Sequence, residues 1–150
     1  EFNISGQRIY LSALIDLYNQ EVISYTISHR PTLSFVCKML SNVFEKYNNL
    51  KGLIIHSDQG WHYRTERYTQ MLKMKDVTQS MSRKGNCLDN AMAENFFGLL
   101  KTEFYYMNKF SSVEGFEKAL VEYIAYYNTE RIKIGLNGLS PIEFRAQYAA

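Results

Sequence analysis

Cysteine is scarce in this chain. Only Cys37 and Cys87 occur in 150 residues, and neither has a CxxC or CxxH neighbour. That excludes a disulfide framework and a thiolate zinc knuckle, and leaves free thiols in a reducing cytoplasm as the expectation. Long apolar runs are missing too. None reaches the roughly 18 to 20 residues of a membrane span, and no signal-peptide pattern opens the chain. Charge of one sign is in short supply, since 17 Lys and Arg face 15 Asp and Glu. There is no internal repeat, no low-complexity tract and no GxSxG nucleophile elbow.

What is present reads as one globular domain with a sizeable core, 46% hydrophobic and 21% charged. The small net charge hides an uneven distribution. Residues 1–60 carry five basic and five acidic groups, and residues 111–150 carry four and five. The block 61–110 carries eight basic groups, among them Arg83, Lys84 and Lys101, against five acids. An excess of that kind suits a phosphate backbone. Charge alone leaves chance clustering on a solvated surface as good an account.

Two stretches organise the rest. In IIHSDQGWHY, 54–63, Asp58 follows a short apolar run that reads as a buried strand. In SRKGNCLDNAMAENFFGLLKTE, 82–103, Glu94 lies in a long helical pattern. Thirty-five residues separate the two acids, so only folding brings them together. A carboxylate at a strand end facing one on a helix is what a Mg²⁺ site for phosphoryl transfer needs.

Along the chain, residues 1–5 read as the tail of a strand and Gly6-Gln7 as a turn. Residues 8–17 read as a central strand, and 21–28 alternate with period two. Leu33, Val36, Leu40, Val43, Phe44 and Tyr47 recur at helical spacing. Leu53–His56 reads as a short parallel, interior strand, 66–75 as a helix, and 76–81 as a last strand. From Asp89, a good N-cap, a helix runs to about Met107 with Met92, Phe96, Leu99, Leu100, Phe104 and Met107 on its apolar face. On another face lie Asn90, Glu94, Gly98 and Lys101. That face suits a metal at Glu94, a nucleic-acid backbone over Gly98 and phosphate at Lys101; an ordinary solvated face has the same spacing. Ser111 to Glu114 reads as a capping box, and Ser140 to Glu143 as a second one with Pro141 at the first helical position.

Other candidates weigh less. His56 and His62 flank Asp58 without the further ligands zinc wants, so packing or hydrogen bonding is the expectation for His56. Asp89 reads as a cap before a ligand. Tyr123, Tyr126 and Tyr127 read as helix packing, with Arg131 the fair phosphate-contact candidate of that region. Arg83 and Lys84 beside Gly85 form a basic loop open to DNA.

HSDQGWHY, SMSRKGNCLDNAMAENFFGLLKTE and YIAYYNTERIKIGLNGLSPIEF stand in the order seen in one family. Together they resemble the DDE transposase and retroviral-integrase superfamily, specifically the second-frame product of bacterial insertion-sequence transposases. The resemblance implies an α/β ribonuclease-H-like fold, a five-stranded mixed sheet flanked by helices with its first strand truncated. It implies a catalytic core over 1–127 and a C-terminal extension, 128–150, packed on it.

It also implies DNA cleavage and strand transfer with two Mg²⁺ (or Mn²⁺) per complete site. Asp58 and Glu94 match two of the three carboxylate ligands, and Lys101 matches the basic position that touches the transposon end. The first Asp of the family's motif falls upstream of Glu1. Asp16 matches instead the Asp where the second strand turns into a hairpin. This polypeptide is therefore expected to bind metal weakly or not at all and to be inactive alone. The implied partners are transposon-end and target DNA, further copies of the chain, and an upstream helix-turn-helix half, with no membrane; the implied location is the bacterial cytoplasm, at the nucleoid when bound to DNA. A ribonuclease-H-like module without catalysis, serving DNA binding or assembly, is the alternative reading, and a ribonuclease H or Holliday-junction nuclease the third.

Overall fold

A computed structural model describes residues 1–83 and 90–148. The expected Asp89 cap and the Lys84 side of the basic loop lie outside the described residues. Strand β1 (Phe2–Ile4) turns through Ser5 and Gly6, both with positive φ (49° and 83°), into β2 (Gln7–Ile15). Two consecutive positive-φ residues make a tight hairpin whose twist matches that of the strands. Strand β2 then pairs antiparallel with β3 (Val22–Ser28). Asp16 holds that second turn, its Oδ1 accepting the Tyr18 amide at 2.7 Å.

Helix α1 (Leu33–Lys46) begins at Thr32, whose hydroxyl accepts from the Phe35 amide. It buries Val36, Met39, Leu40 and Val43 against the sheet. Strand β4 (Ile54–Ser57) pairs in parallel with β5 (Thr78–Met81), with helix α2 (Glu66–Lys73) between them. Helix α3 (Ala91–Leu99) runs into a π-helical turn, Leu100–Tyr105, and α4 (Val113–Thr129) and α5 (Pro141–Tyr148) complete the layer.

The strands are the five expected, but their ladders are two: β1-β2-β3 and β4-β5. Leu53–His56 was expected to be interior. Instead, β4 is bonded along one edge, and Ile54 is 62% exposed. The core divides in the same way. One cluster joins Phe2, Ile9, Leu11, Phe96, Leu100, Phe116 and Tyr127; the other joins Val36, Leu40, Ile55, Tyr68, Leu72 and Val77.

Two helix boundaries differ from their sequence patterns. The 89–107 pattern is helical, but its last turn is π: the Tyr106 amide donates to the Lys101 carbonyl, five residues back, at 2.8 Å. One extra residue in a turn rotates everything beyond it, so Phe104 stays buried while Met107 is 76% exposed. The cap of α4 is Ser112, its hydroxyl accepting from the Gly115 amide at 3.0 Å. Ser111 and Glu114 therefore do not form the capping box. Ser140 and Glu143 do, with the Ser140 amide and hydroxyl both donating to Glu143 Oε2 at 2.9 Å.

Residues 128–148 lie against the hairpin. Asn128 exchanges hydrogen bonds with the Val22 backbone, Asn19 donates to the Pro141 carbonyl, and Arg145 meets buried Glu21 at 2.7 Å.

Candidate acidic and nucleic-acid site

Asp58 stands one residue past the end of β4, exposed, at the start of a tight loop. Its Oδ1 accepts the Gly60 amide at 2.7 Å, the local turn that Asp favours. Gly60 is required there by space: a Cβ would sit 2.9 Å from that oxygen and 3.2 Å from the Tyr63 ring. Tyr63 packs edge-on against buried Tyr68. Burial first, and then the Asp58 charge, push the Tyr63 phenol above its ordinary range.

Ser82 joins the two acid-bearing segments. Its amide donates to the Ser57 carbonyl at 2.9 Å, and its carbonyl accepts from Gln59 at 3.1 Å. Its hydroxyl accepts from Asn90 at 3.2 Å. Asn90 is the residue that opens α3, and its side chain caps none of the helix amides. Glu94 follows one turn later on the same face, where side chains lean back toward the helix start. Ser57 and Gln59, the neighbours of Asp58, are thus tied to Asn90 through one serine, and exposed Glu94 stands on the next turn. Both Asn90 and His56 line one cleft.

Further along that face, a Cβ at Gly98 would meet nothing within 4 Å. Lys101 is half-buried in the π turn. Arg83 is exposed beside Ser82 and interacts with other groups.

The histidines pack, as expected for His56. Its Nδ1 hydrogen-bonds Ser80 Oγ at 2.9 Å, while Nε2 is buried with no partner among the described residues. His62 stacks on Trp61, centroids 3.9 Å apart, and bonds the Pro31 carbonyl at 2.8 Å. Among the described residues, no three His, Cys, Asp or Glu side chains cluster as a metal cage.

Arg131 carries a partner the sequence did not announce. Its guanidinium grips Glu103 at both oxygens, with Nε to Oε2 at 2.7 Å. Tyr123 donates to the same carboxylate at 3.0 Å. The Arg131 bond, opposed by burial, holds the Glu103 carboxyl below its usual range. These donors are occupied within the fold, so the fork expected to meet phosphate clamps the π turn to the segment after α4. Nearby, Lys133 is buried, donating to Gln20 Oε1 at 2.8 Å and to the Tyr127 hydroxyl at 2.6 Å. Burial, then the Arg131 charge, lower its ammonium pKa to about 8.

Residues 1–87 match the family described as Integrase core domain, and residues 94–148 match a second family of the same description. The chain is 52% identical over 147 residues to the putative transposase InsK for insertion sequence element IS150 of Escherichia coli K12, covering 98% of this chain and 52% of that protein. It thus spans about half the length of that relative. It is 44% identical to an uncharacterized transposase-like protein of Haemophilus influenzae, covering 98% of this chain and 68% of that one. Among solved structures, the simian T-cell lymphotropic virus intasome superposes with TM-score 0.74 at 19% identity, over 88% of this chain and 46% of that one. The HTLV-2 integrase catalytic core domain in complex with magnesium gives 0.73 at 12% identity, over 95% and 88%. These likenesses show the ribonuclease-H-like fold. The chain belongs to the integrase core domain family, as do insertion-sequence transposases.

Proposed function

We propose that this chain is the strand-cutting and strand-joining core of a DNA transposase, contributing Asp58 and Glu94 to a Mg²⁺ centre. The observation that carries the reading is the Ser82 junction, which ties the end of β4 to the first turn of α3. The donor chemistry suits the ion, since both candidates are exposed carboxylates and Mg²⁺ prefers oxygen ligands with waters retained. Bound there, the metal would supply Lewis acidity toward phosphoryl oxygens and lower the pKa of an attacking hydroxyl. The chain's own groups orient the reactants. The Gly60 amide fixes one Asp58 oxygen and leaves the other for a ligand. Gly98 leaves room for a sugar-phosphate backbone, and Lys101, Asn90 and the Arg83–Lys84 loop offer donors to it.

The test is a Mg²⁺ titration followed by NMR on this chain and on Asp58→Asn, Glu94→Gln and the double variant. Each single substitution should weaken binding, and the two losses should combine non-additively in the double, as expected of two groups at one site. Strand transfer of pre-cut transposon-end DNA in Mn²⁺, by the chain extended ahead of Glu1, should then be lost in Glu94→Gln. Metal binding indifferent to both acids would overturn the assignment. The alternative is a module for DNA binding or assembly without catalysis. It predicts DNA binding unchanged by either acid substitution and by metal.

A further inference from the structure

A hollow of about 330 Å³ opens between β1 and the end of the π turn, lined by Asn3, Ile4, Tyr105, Tyr106, Asn108 and Phe110. That is the lower end of the roughly 300 to 1,000 Å³ of small-ligand sites. We propose that it is a subsite for one unpaired nucleobase of a bound DNA strand. The inference rests on the DNA-binding reading above and adds to it a place where a base, and not only the backbone, is held.

One wall is fixed and the other is open. At Asn3 the outer edge of β1 is closed by Tyr105, whose hydroxyl accepts from the Asn3 amide at 3.2 Å and donates to the Asn3 carbonyl at 2.9 Å. The Tyr105 ring packs edge-on against buried Phe2, centroids 5.1 Å apart. Tyr106 stands beside it, centroids 5.3 Å apart and tilted by 50°, yet 68% exposed. An exposed ring braced by a fixed one is a platform on which a flat heterocycle stacks.

Two side-chain amides supply the polar part. Asn3 Oδ1 accepts from the Gly6 amide at 3.0 Å, and Asn108 Nδ2 donates to the Phe104 carbonyl at 2.7 Å. Those bonds fix which way each amide is turned. They leave the Asn3 Nδ2 donor and the Asn108 Oδ1 acceptor without a partner among the described residues. A donor and an acceptor beside a stacking surface match the Watson–Crick edge of a base, where an acceptor adjoins a donor. All four bases carry such a pair, so the subsite reads unpairing and not sequence.

Charge decides between a base and another flat occupant, such as a proline-rich segment on the same aromatic wall. Lys101 lies one turn before Tyr105, Lys109 adjoins Asn108, and Arg8 is paired with Asn3 across the β1–β2 ladder. Arg8 meets Glu1 at 3.4 Å, and Glu103 is gripped by Arg131, so the nearby acids are already matched by cations. The surplus suits the phosphates on either side of a held base. From Glu94 to Tyr106 is twelve residues, about 18 Å at 1.5 Å each along a helix, or roughly five base steps of DNA.

The experiment follows the anisotropy of three labelled probes with this chain at low salt. They are a strand of about twelve thymidine nucleotides, a strand of the same length made of abasic residues, and a blunt duplex. The thymidine strand should bind about tenfold tighter than the abasic one. Tyr106→Ala should erase that difference, Tyr106→Phe should keep it, and neither should change duplex affinity. Equal affinity for the two strands, or a preference that survives Tyr106→Ala, would overturn the subsite while duplex binding leaves the DNA reading standing. Failure to bind all three probes would overturn both. A polyproline peptide bound more tightly than the thymidine strand, and lost in Tyr106→Ala, would overturn the subsite in favour of a peptide groove.

Discussion

Replacing Arg131 by Met separates a structural clamp from a phosphate contact. The guanidinium makes two bonds to Glu103, with 18% of the Arg131 side chain and 34% of the Glu103 side chain exposed. A fully exposed pair is worth about 0 to 1 kcal/mol, whereas breaking a buried one costs about 3 to 5 kcal/mol. This pair lies between, so about 2 kcal/mol is expected, or some 4 to 8 °C in Tm for a chain of this size. The pH dependence has a definite sign. The folded Glu103 pKa is lowered, so its contribution is present above the ordinary carboxylate range and is lost as pH falls through the folded value. Urea unfolding of Arg131→Met, Glu103→Gln and the double variant at pH 7 and pH 3 is the assay. Coupling of more than about 0.5 kcal/mol at pH 7, shrinking at pH 3, is expected. Additive losses at pH 7 would refute the clamp. So would wild-type stability of Arg131→Met together with weakened DNA binding.

At Gly60, substitution by Ala places a Cβ 2.9 Å from Asp58 Oδ1, so the carboxylate or the loop must shift. A loss of about 1 to 3 kcal/mol is expected, with Mg²⁺ response falling together with it; a melt and titration matching wild type would contradict the fit. Lys101→Ala should weaken DNA binding uniformly across sequences and reduce the salt slope of log K by about 1, whereas Arg131→Met should leave that slope unchanged. For Lys133 the sign runs opposite to Glu103. Its folded pKa of about 8 lies below the usual lysine value, so the folded state binds fewer protons and stability should rise from pH 8 to about 10. In Lys133→Met that rise should vanish from the urea midpoints, and a rise that persists would place its origin elsewhere.

What the sequence made legible was whatever repeats locally. Period-two alternation located β3, and helical spacing picked out Val36, Leu40 and Val43, all buried. Ser140 and Glu143 announced their own cap because both partners lie within four residues. The clamp was not legible. Arg131 and Glu103 are 28 residues apart, and an arginine reaching a carboxylate has the same local pattern as one reaching phosphate. The π turn was hidden for a related reason, since one inserted residue keeps the helical rhythm on both sides and shifts only the phase between Phe104 and Met107.

Strand β4 shows the same limit from the other direction. Alternation along a strand reports its two faces and is silent about its two edges, because edge partners are set by chain elsewhere. The apolar run Leu53–His56 therefore read as interior, and in composition it is. Ile55 is buried, while Ile54, equally apolar, faces an open edge. An exposed, uncharged strand edge is a liability that folded proteins normally cover. The composition of β4 is that of a strand with neighbours on both sides, and the described residues supply one.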